Sequence, residues 1–176
     1  DFQKLFSIEP LKYLQLMDLG ETGMTSGGIK HLCASKWLKC LETLSLFNNN
    51  LDDEGVFFLS KTVCLPSLTS LDLSSNEIGT LGTKVLSLSK SLSKVNSLNL
   101  SYNRIESLGI HSLASSDFGQ RLKTLKLRDT CLGNEGVKEF ARYSLKELEF
   151  LDLSENLISE EGVEVLAKSK AFPNLK

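Results

Sequence analysis

The sequence predicts an α/β solenoid, a stack of short units with a parallel β-sheet along one face and helices along the other. Six glycines recur at intervals of 26 or 27 residues, at Gly28, Gly55, Gly82, Gly109, Gly136 and Gly162. Each unit has a segment of alternating apolar residues before its glycine and a segment of helical spacing after it. One such unit cannot bury its own apolar side, so the units must stack and share a core.

The strand is predicted from the residues that precede each turn. In the second unit, Leu44 and Leu46 alternate with Thr43, Ser45 and Phe47. This period of two is typical of a strand that buries one face and exposes the other.

The helix is predicted from the residues that follow each glycine. After Gly55, the apolar residues Val56, Leu59 and Val63 have helical spacing, and we expect all three to face inward. Polar residues stand before the helix in several units, and the side chains of Asp52, Asp53, Glu54, Thr25 and Ser159 are predicted to cap free N–H groups there.

The repeated frame resembles a known sequence family. The third unit carries the frame as Leu68, Leu71, Leu73, Asn76, Ile78 and Gly82. This pattern resembles the leucine-rich repeat, L-x-x-L-x-L-x-x-N-x-L, in its ribonuclease-inhibitor-like subclass, and the resemblance covers almost the whole chain. It implies a right-handed horseshoe with the parallel sheet on the concave face and helices on the convex face. We expect residues 1–176 to form a single domain, cut within a repeat at both ends and part of a longer array.

An asparagine follows the strand in four of the six units, at Asn49, Asn76, Asn103 and Asn156. An amide both donates and accepts hydrogen bonds, so it can satisfy backbone groups where the chain turns. The resemblance implies that these amides form a ladder. Thr22 and Thr130 replace the asparagine in the other two units, and we expect a weaker ladder there because a hydroxyl is shorter.

The formal net charge is −2, from 20 basic and 22 acidic residues. This balance disfavours nucleic acid and anionic membranes as partners, since both require a basic surface. No apolar run approaches the ~20 residues that span a bilayer.

The cysteines are Cys33, Cys40, Cys64 and Cys131, and they have neither C-x-x-C nor zinc-site spacing. We interpret them as reduced thiols, which favours a cytoplasmic location, or the host cytoplasm if the protein is a secreted effector.

No catalytic constellation is evident. The two histidines, His31 and His111, belong to different units on the helical side, so they are interpreted as surface or partly buried helix residues. The sequence therefore predicts a protein that is not an enzyme and that needs no cofactor.

Leucine-rich repeats usually bind through the concave sheet, so the resemblance implies that this face is the binding surface. Equivalent strand residues of successive units stand side by side there. Most are small and polar. The residues that stand out as predicted partner-binding residues are Phe47, Tyr102, Lys126, Arg128, Phe150 and Asp152. Aromatic residues and arginine are enriched at binding hot spots. All but Phe47 belong to units four to six and form one predicted patch, and Phe47 is a separate anchor.

A structural alternative exists for the charged members of this patch. Lys126 could pair with Asp152, and Arg128 with Asp129 or Glu155, as exposed ion pairs of ~0–1 kcal/mol.

These observations predict a protein-interaction module that binds a partner protein through its concave sheet, in an intracellular sensor or a secreted effector. Two alternatives remain. One is a GTPase-activating protein of the Ran type, because such activators share this repeat subclass. The other is a structural spacer between domains.

Overall fold

The computed structural model describes residues 1–176 and contains one six-stranded parallel sheet. The strands are β1 (Leu16–Asp18), β2 (Thr43–Ser45), β3 (Ser70–Asp72), β4 (Ser97–Asn99), β5 (Thr124–Lys126) and β6 (Phe150–Asp152). They lie in chain order, and each pairs with the next in the register that the repeat predicts. The predicted α/β solenoid is confirmed.

Helices follow the strands on the opposite side of the molecule. They are α1 (Phe2–Leu5), α2 (Ser26–Cys33), α3 (Asp53–Lys61), α4 (Thr80–Ser87), α5 (Glu106–Ala114), α6 (Asp117–Gln120), α7 (Gly133–Ala141) and α8 (Glu160–Lys168), with 3₁₀ turns at Glu9–Tyr13 and Leu38–Cys40. None of them has the length and apolar character needed to cross a membrane. Paired strands lie about 4.8 Å apart and packed helices about 8–10 Å apart, so the stack curves with the sheet inside.

A single apolar core of 38 buried residues runs between the sheet and the helices. The central residue of the strand points into it, as Leu44 and Leu98 do, whereas the residues on either side of it face outward. In α3, Val56 and Leu59 are buried as predicted. The prediction for Val63 is wrong: α3 ends at Lys61, and the Val63 side chain is 87% exposed.

The capping prediction is confirmed at Asp52 and is wrong at Thr25 and Ser159. The Asp52 carboxylate accepts hydrogen bonds from the N–H groups of the second and third residues of α3, both at 3.1 Å. Thr25 and Ser159 occupy the corresponding positions, but neither side chain caps its own helix. The Ser159 N–H instead donates to the side-chain oxygen of Asn134, in the preceding unit (3.0 Å).

This contact belongs to a row of polar side chains that links the start of one helix to the next unit. The row comprises the bonds Ser26 to Asp52, Gly79 N–H to Asp53, Thr80 to the Ile105 carbonyl, and Ser159 N–H to Asn134. The residues Ser26, Asp53, Thr80 and Asn134 all stand two positions before the repeat glycine. From the sequence, Asp53 was predicted to cap the helix that it begins, and the row of contacts between units was not predicted.

The asparagine ladder is present, and Asn103 shows its geometry. The Asn103 amide nitrogen donates to the carbonyl oxygens of Leu73 (2.9 Å) and Leu100 (3.0 Å). Its amide oxygen accepts from the Ile78 N–H (3.0 Å). Two of these partners belong to the preceding unit, so each buried asparagine joins two units. Asn49, Asn76 and Asn156 make equivalent bonds.

The ladder is weaker at Thr130, as predicted. Its hydroxyl lies 2.9 Å from the Leu127 carbonyl oxygen, within its own unit, and does not bond to the strand of the preceding unit. In the turn of the fourth unit, the Glu106 N–H donates to the Thr130 carbonyl oxygen (3.0 Å), and Glu106 adopts a φ of 61°. This left-handed conformation is unfavourable for any residue with a Cβ.

We expect Asn103→Ala to lower the free energy of unfolding by about 2–4 kcal/mol, because it leaves buried N–H and carbonyl groups without partners. Asn103→Thr, which copies the fifth unit, should cost about half as much. Urea unfolding followed by circular dichroism measures both. Equal losses for the two variants would contradict the ladder as the source of the stability.

We expect Glu106→Gly to raise the free energy of unfolding by about 1 kcal/mol, since glycine adopts the left-handed conformation without a Cβ clash. Glu54→Gly is the matched control, at an exposed glutamate within α3, and should lower it by about the same amount. A loss of stability in both variants would show that Glu106 carries no backbone strain.

Candidate functional site

The concave face is formed by the residues on either side of the buried leucine in each strand. Strand registers place these residues in the predicted columns, and the first column runs through Leu16, Thr43, Ser70, Ser97, Thr124 and Phe150. Most members are serine or threonine. Three large apolar side chains on this face are exposed: Leu16 of the first unit (61%), Tyr102 (44%) and Phe150 (47%).

Tyr102, Arg128 and Glu155 form a connected row across three consecutive units. The Arg128 guanidinium carbon lies 6.0 Å from the centre of the Tyr102 ring, a distance typical of cation–π contacts. The Nη2 atom of Arg128 pairs with the Glu155 carboxylate. The hydrogen bond from Arg128 lowers the pKa of Glu155, and the same bond raises the pKa of Arg128. Arg128 is therefore held between an aromatic ring and a carboxylate.

The backbone presents Tyr102 and Glu155 in the same way. The residue at this position after the strand has a φ between 48° and 58° in every unit, at Glu21, Asn48, Ser75, Tyr102, Asp129 and Glu155. Since five different residue types share the conformation at six positions, it is a property of the repeat and not of one sequence. The turn fixes where each of these side chains leaves the backbone, and the sequence analysis did not predict it.

Asp152 lines the concave face, and its side chain also stabilises the turn that follows β6. Its carboxylate accepts hydrogen bonds from the Ser154 N–H (2.9 Å) and the Ser154 hydroxyl (2.6 Å). These bonds lower the pKa of Asp152. Asp72 makes the same two bonds to Ser74 (2.8 and 2.6 Å), so the motif recurs.

Lys126 is the register partner of Asp152 but forms no ion pair with it. Of the ion pairs considered for this patch, only the pair between Arg128 and Glu155 is present. Lys126 is exposed, and its ammonium group remains free to contact a partner.

Phe47 lies apart from the other five predicted residues, two strands away from Tyr102. Its ring covers Gly20 so closely that a Cβ at Gly20 would be 2.2 Å from the ring carbons. The Phe47 side chain is therefore half-buried, and one face of the ring is used in packing against the first unit.

The other polar groups of interest lie away from the concave face. His111 is half-buried on α5, and its Nδ1 atom lies 2.8 Å from the Glu139 carboxylate on α7, a contact that the sequence analysis missed. Burial raises the pKa of Cys33 to about 12, and it also raises the pKa of Cys64. The thiols of both residues are therefore protonated and weakly nucleophilic at neutral pH. No group of three or more His, Cys, Asp or Glu residues is arranged to hold a metal ion.

Comparisons with known proteins agree with this geometry. The family profile described as Leucine Rich repeat matches residues 38–60, 64–87, 91–114, 120–141 and 146–167. Among solved structures, an internalin from Listeria monocytogenes superposes with a TM-score of 0.57 at 22% sequence identity. That similarity covers 94% of this chain but 44% of the internalin, so the chain spans less than half the length of that protein.

No curated protein matches the chain significantly in sequence. The family assignment rests instead on the profile, whose matches extend over five consecutive units and well over half of the residues. Leucine-rich repeats are in general non-enzymatic modules for binding other proteins, and this chain belongs to the leucine-rich repeat family.

Proposed function

We propose that the chain binds a partner protein on its concave face, through a patch formed by Tyr102, Lys126, Arg128 and Phe150. The observation that carries the proposal is the position of Arg128, which is held between the Tyr102 ring and the Glu155 carboxylate. The patch combines two aromatic side chains with two cations, all from units four to six.

The arrangement suits binding because the large side chains are ordered before a partner arrives. Immobilising a flexible side chain at an interface costs about 0.5–1.5 kcal/mol. Arg128 has already lost much of this freedom. The Nε–H of Arg128 is covered and has no hydrogen-bond partner, so a partner would contact the exposed remainder of the guanidinium and the adjacent ring.

The exposed aromatic rings and the unpaired lysine of the patch indicate which side chains a partner would place against it. Phe150 and Tyr102 each leave nearly half of the side chain exposed, which favours an apolar or aromatic contact between them. Lys126 forms no ion pair, and it is the register partner of Asp152, which lies two residues after Phe150 in β6. We therefore propose a partner with an apolar residue at the centre of its interface and a carboxylate facing Lys126.

Phe47 and Asp152 have supporting parts in the proposal. Phe47 provides a second apolar contact at the far side of the concave face, where one face of its ring already packs on Gly20. Asp152 shapes the turn at the end of β6 and adds a carboxylate beside Lys126. We further propose a cytoplasmic setting, in a sensor or an effector, and the four unpaired cysteines support it.

We expect the double variant Tyr102→Ala/Arg128→Ala to weaken partner binding at least about 30-fold, because even one hot-spot residue contributes about 2 kcal/mol or more. Affinity capture from cell lysate with the wild-type chain identifies the partner, and titration of the purified partner measures the loss. The melting temperature should change little, since both side chains are partly exposed.

A matched control is available outside the concave face. Tyr13 is an exposed tyrosine whose ring centre lies 4.9 Å from the Lys12 ammonium group. Arg121 is an exposed arginine without an ion pair. The variant Tyr13→Ala/Arg121→Ala should retain full affinity. Equal retention of the partner by both double variants would place the interface elsewhere. Capture of no protein would favour the spacer function, and a captured GTPase whose hydrolysis rate rises would favour the activator.

A further inference from the structure

The convex face carries an apolar stripe formed by α4 and by Leu88, the residue that follows this helix. Leu81 is 67% exposed and Leu88 is 71% exposed, and the half-buried Val85 lies between them. These residues are spaced i, i+4 and i+7, so they share one face of the helix. Units five and six carry charged residues at the positions of Leu81 and Leu88, namely Glu135, Arg142, Glu161 and Lys168.

Neighbouring helices extend the stripe on both sides. Leu108 of α5 occupies the repeat position of Leu81 and is also 67% exposed. Phe57 of α3 is 46% exposed. Single exposed leucines are common on protein surfaces, but contiguous apolar patches on monomers are uncommon and mark interaction sites.

Three clefts adjoin Leu88, and each includes at least one basic side chain. A cleft of about 420 Å³ between α3 and α4 is lined by Phe57, Val85 and Leu88 together with Lys61 and Lys90. A second cleft, of about 360 Å³, lies on the α5 side of Leu88 and includes Lys84. No carboxylate lines either of these two clefts, whereas the third, of about 420 Å³, is lined by Lys90 and Arg121 together with Asp117.

The lysines around the stripe are free, unlike those of the later helices. Lys61, Lys84 and Lys90 form no ion pair, whereas Lys138 and Arg142 of α7 are each paired with a glutamate. An apolar ridge with cations on both sides is complementary to an apolar surface that is flanked by acids.

We propose that this convex stripe is a second docking site, separate from the concave face, and that its occupant is an acidic amphipathic helix of a partner protein. The distance from Leu81 to Leu88 is about 10 Å along the helix, or two turns, at 1.5 Å per residue. A partner helix with apolar residues at i, i+3 or i+4, and i+7 has the same spacing. Its flanking carboxylates would face Lys61, Lys84 and Lys90.

The geometry favours a helix over a membrane surface. Three lysines contribute about 1 kcal/mol each at an anionic bilayer, which is little for a site that anchors no lipid chain. The clefts on both sides of Leu88 are narrow recesses that a partner's side chains can fill, whereas lipid headgroups form a flat surface.

The test uses the full chain and a fluorescent synthetic peptide of about 18 residues, with leucines at i, i+4, i+7 and i+11 and glutamates on the flanks. A second peptide replaces every glutamate with lysine. We expect saturable binding of the acidic peptide by fluorescence anisotropy, at least about tenfold tighter than binding of the basic one. Leu81→Gln/Leu88→Gln should weaken binding at least about tenfold, and Lys61→Glu/Lys84→Glu/Lys90→Glu should reverse the preference between the peptides.

Two controls separate this site from other surfaces. Leu16→Gln changes a leucine of the concave face that is 61% exposed and should leave binding unaltered, as should Tyr102→Ala/Arg128→Ala. The proposal is overturned by the absence of saturable binding, or by equal binding of the two peptides. Binding to phosphatidylserine vesicles without binding to the peptide would overturn it in favour of a membrane. A dimer in sedimentation that Leu81→Gln/Leu88→Gln dissociates would overturn it in favour of a second copy of the chain.

Discussion

The structure depends on how the chain satisfies its backbone polar groups where it turns inside the stack. Each unit leaves the sheet through a turn whose inward-facing N–H and carbonyl groups must be satisfied by a side chain. The amide of a buried asparagine such as Asn103 meets this need by donating to two carbonyl groups and accepting from one N–H. Because two of the three partners belong to the preceding unit, the same side chain closes a turn and sets the register between units.

The register in turn determines the binding surface. Six short strands aligned by the ladder place each concave residue beside its equivalent in the next unit. Chemistry on this face is therefore assembled from residues about 27 positions apart in the chain. The row of Tyr102, Arg128 and Glu155 is built in this way, with one side chain from each of three units. The stripe on α4 differs, because a single helix supplies most of it.

The sequence predicted what depends on periodicity and missed what depends on side-chain geometry. The strands, their order and the columns follow from the spacing of Leu44 and its equivalents, and all are confirmed. Val63 was placed in the core because helical spacing was continued past Lys61, where the helix ends. Thr25 and Ser159 have the right chemistry for caps, but the Ser159 hydroxyl accepts instead from the amide nitrogen of Asn134 in the preceding unit (2.7 Å).

In the candidate site too, the sequence predicted the positions of the residues but not the contacts of their side chains. Sequence placed Tyr102 and Arg128 in adjacent units, and it left open whether Arg128 pairs with Asp129 or Glu155. It could not resolve that choice because the left-handed turn at the end of each strand sets the direction of these side chains. It also could not show that Asp152 binds Ser154, since a carboxylate next to a lysine in the same column suggests an ion pair equally well.

The direction of the asparagine bonds has a mechanical consequence. Each amide oxygen accepts from the unit before it, as the bond from the Ile78 N–H to Asn103 shows. Peeling away a later unit therefore strips acceptors from the one that precedes it, and exposes a turn with unpaired N–H groups. Peeling away an earlier unit leaves the next asparagine still bonded to its own strand, as Asn103 is to Leu100. The two ends of the stack are therefore not equivalent, because different hydrogen bonds are lost when each end frays.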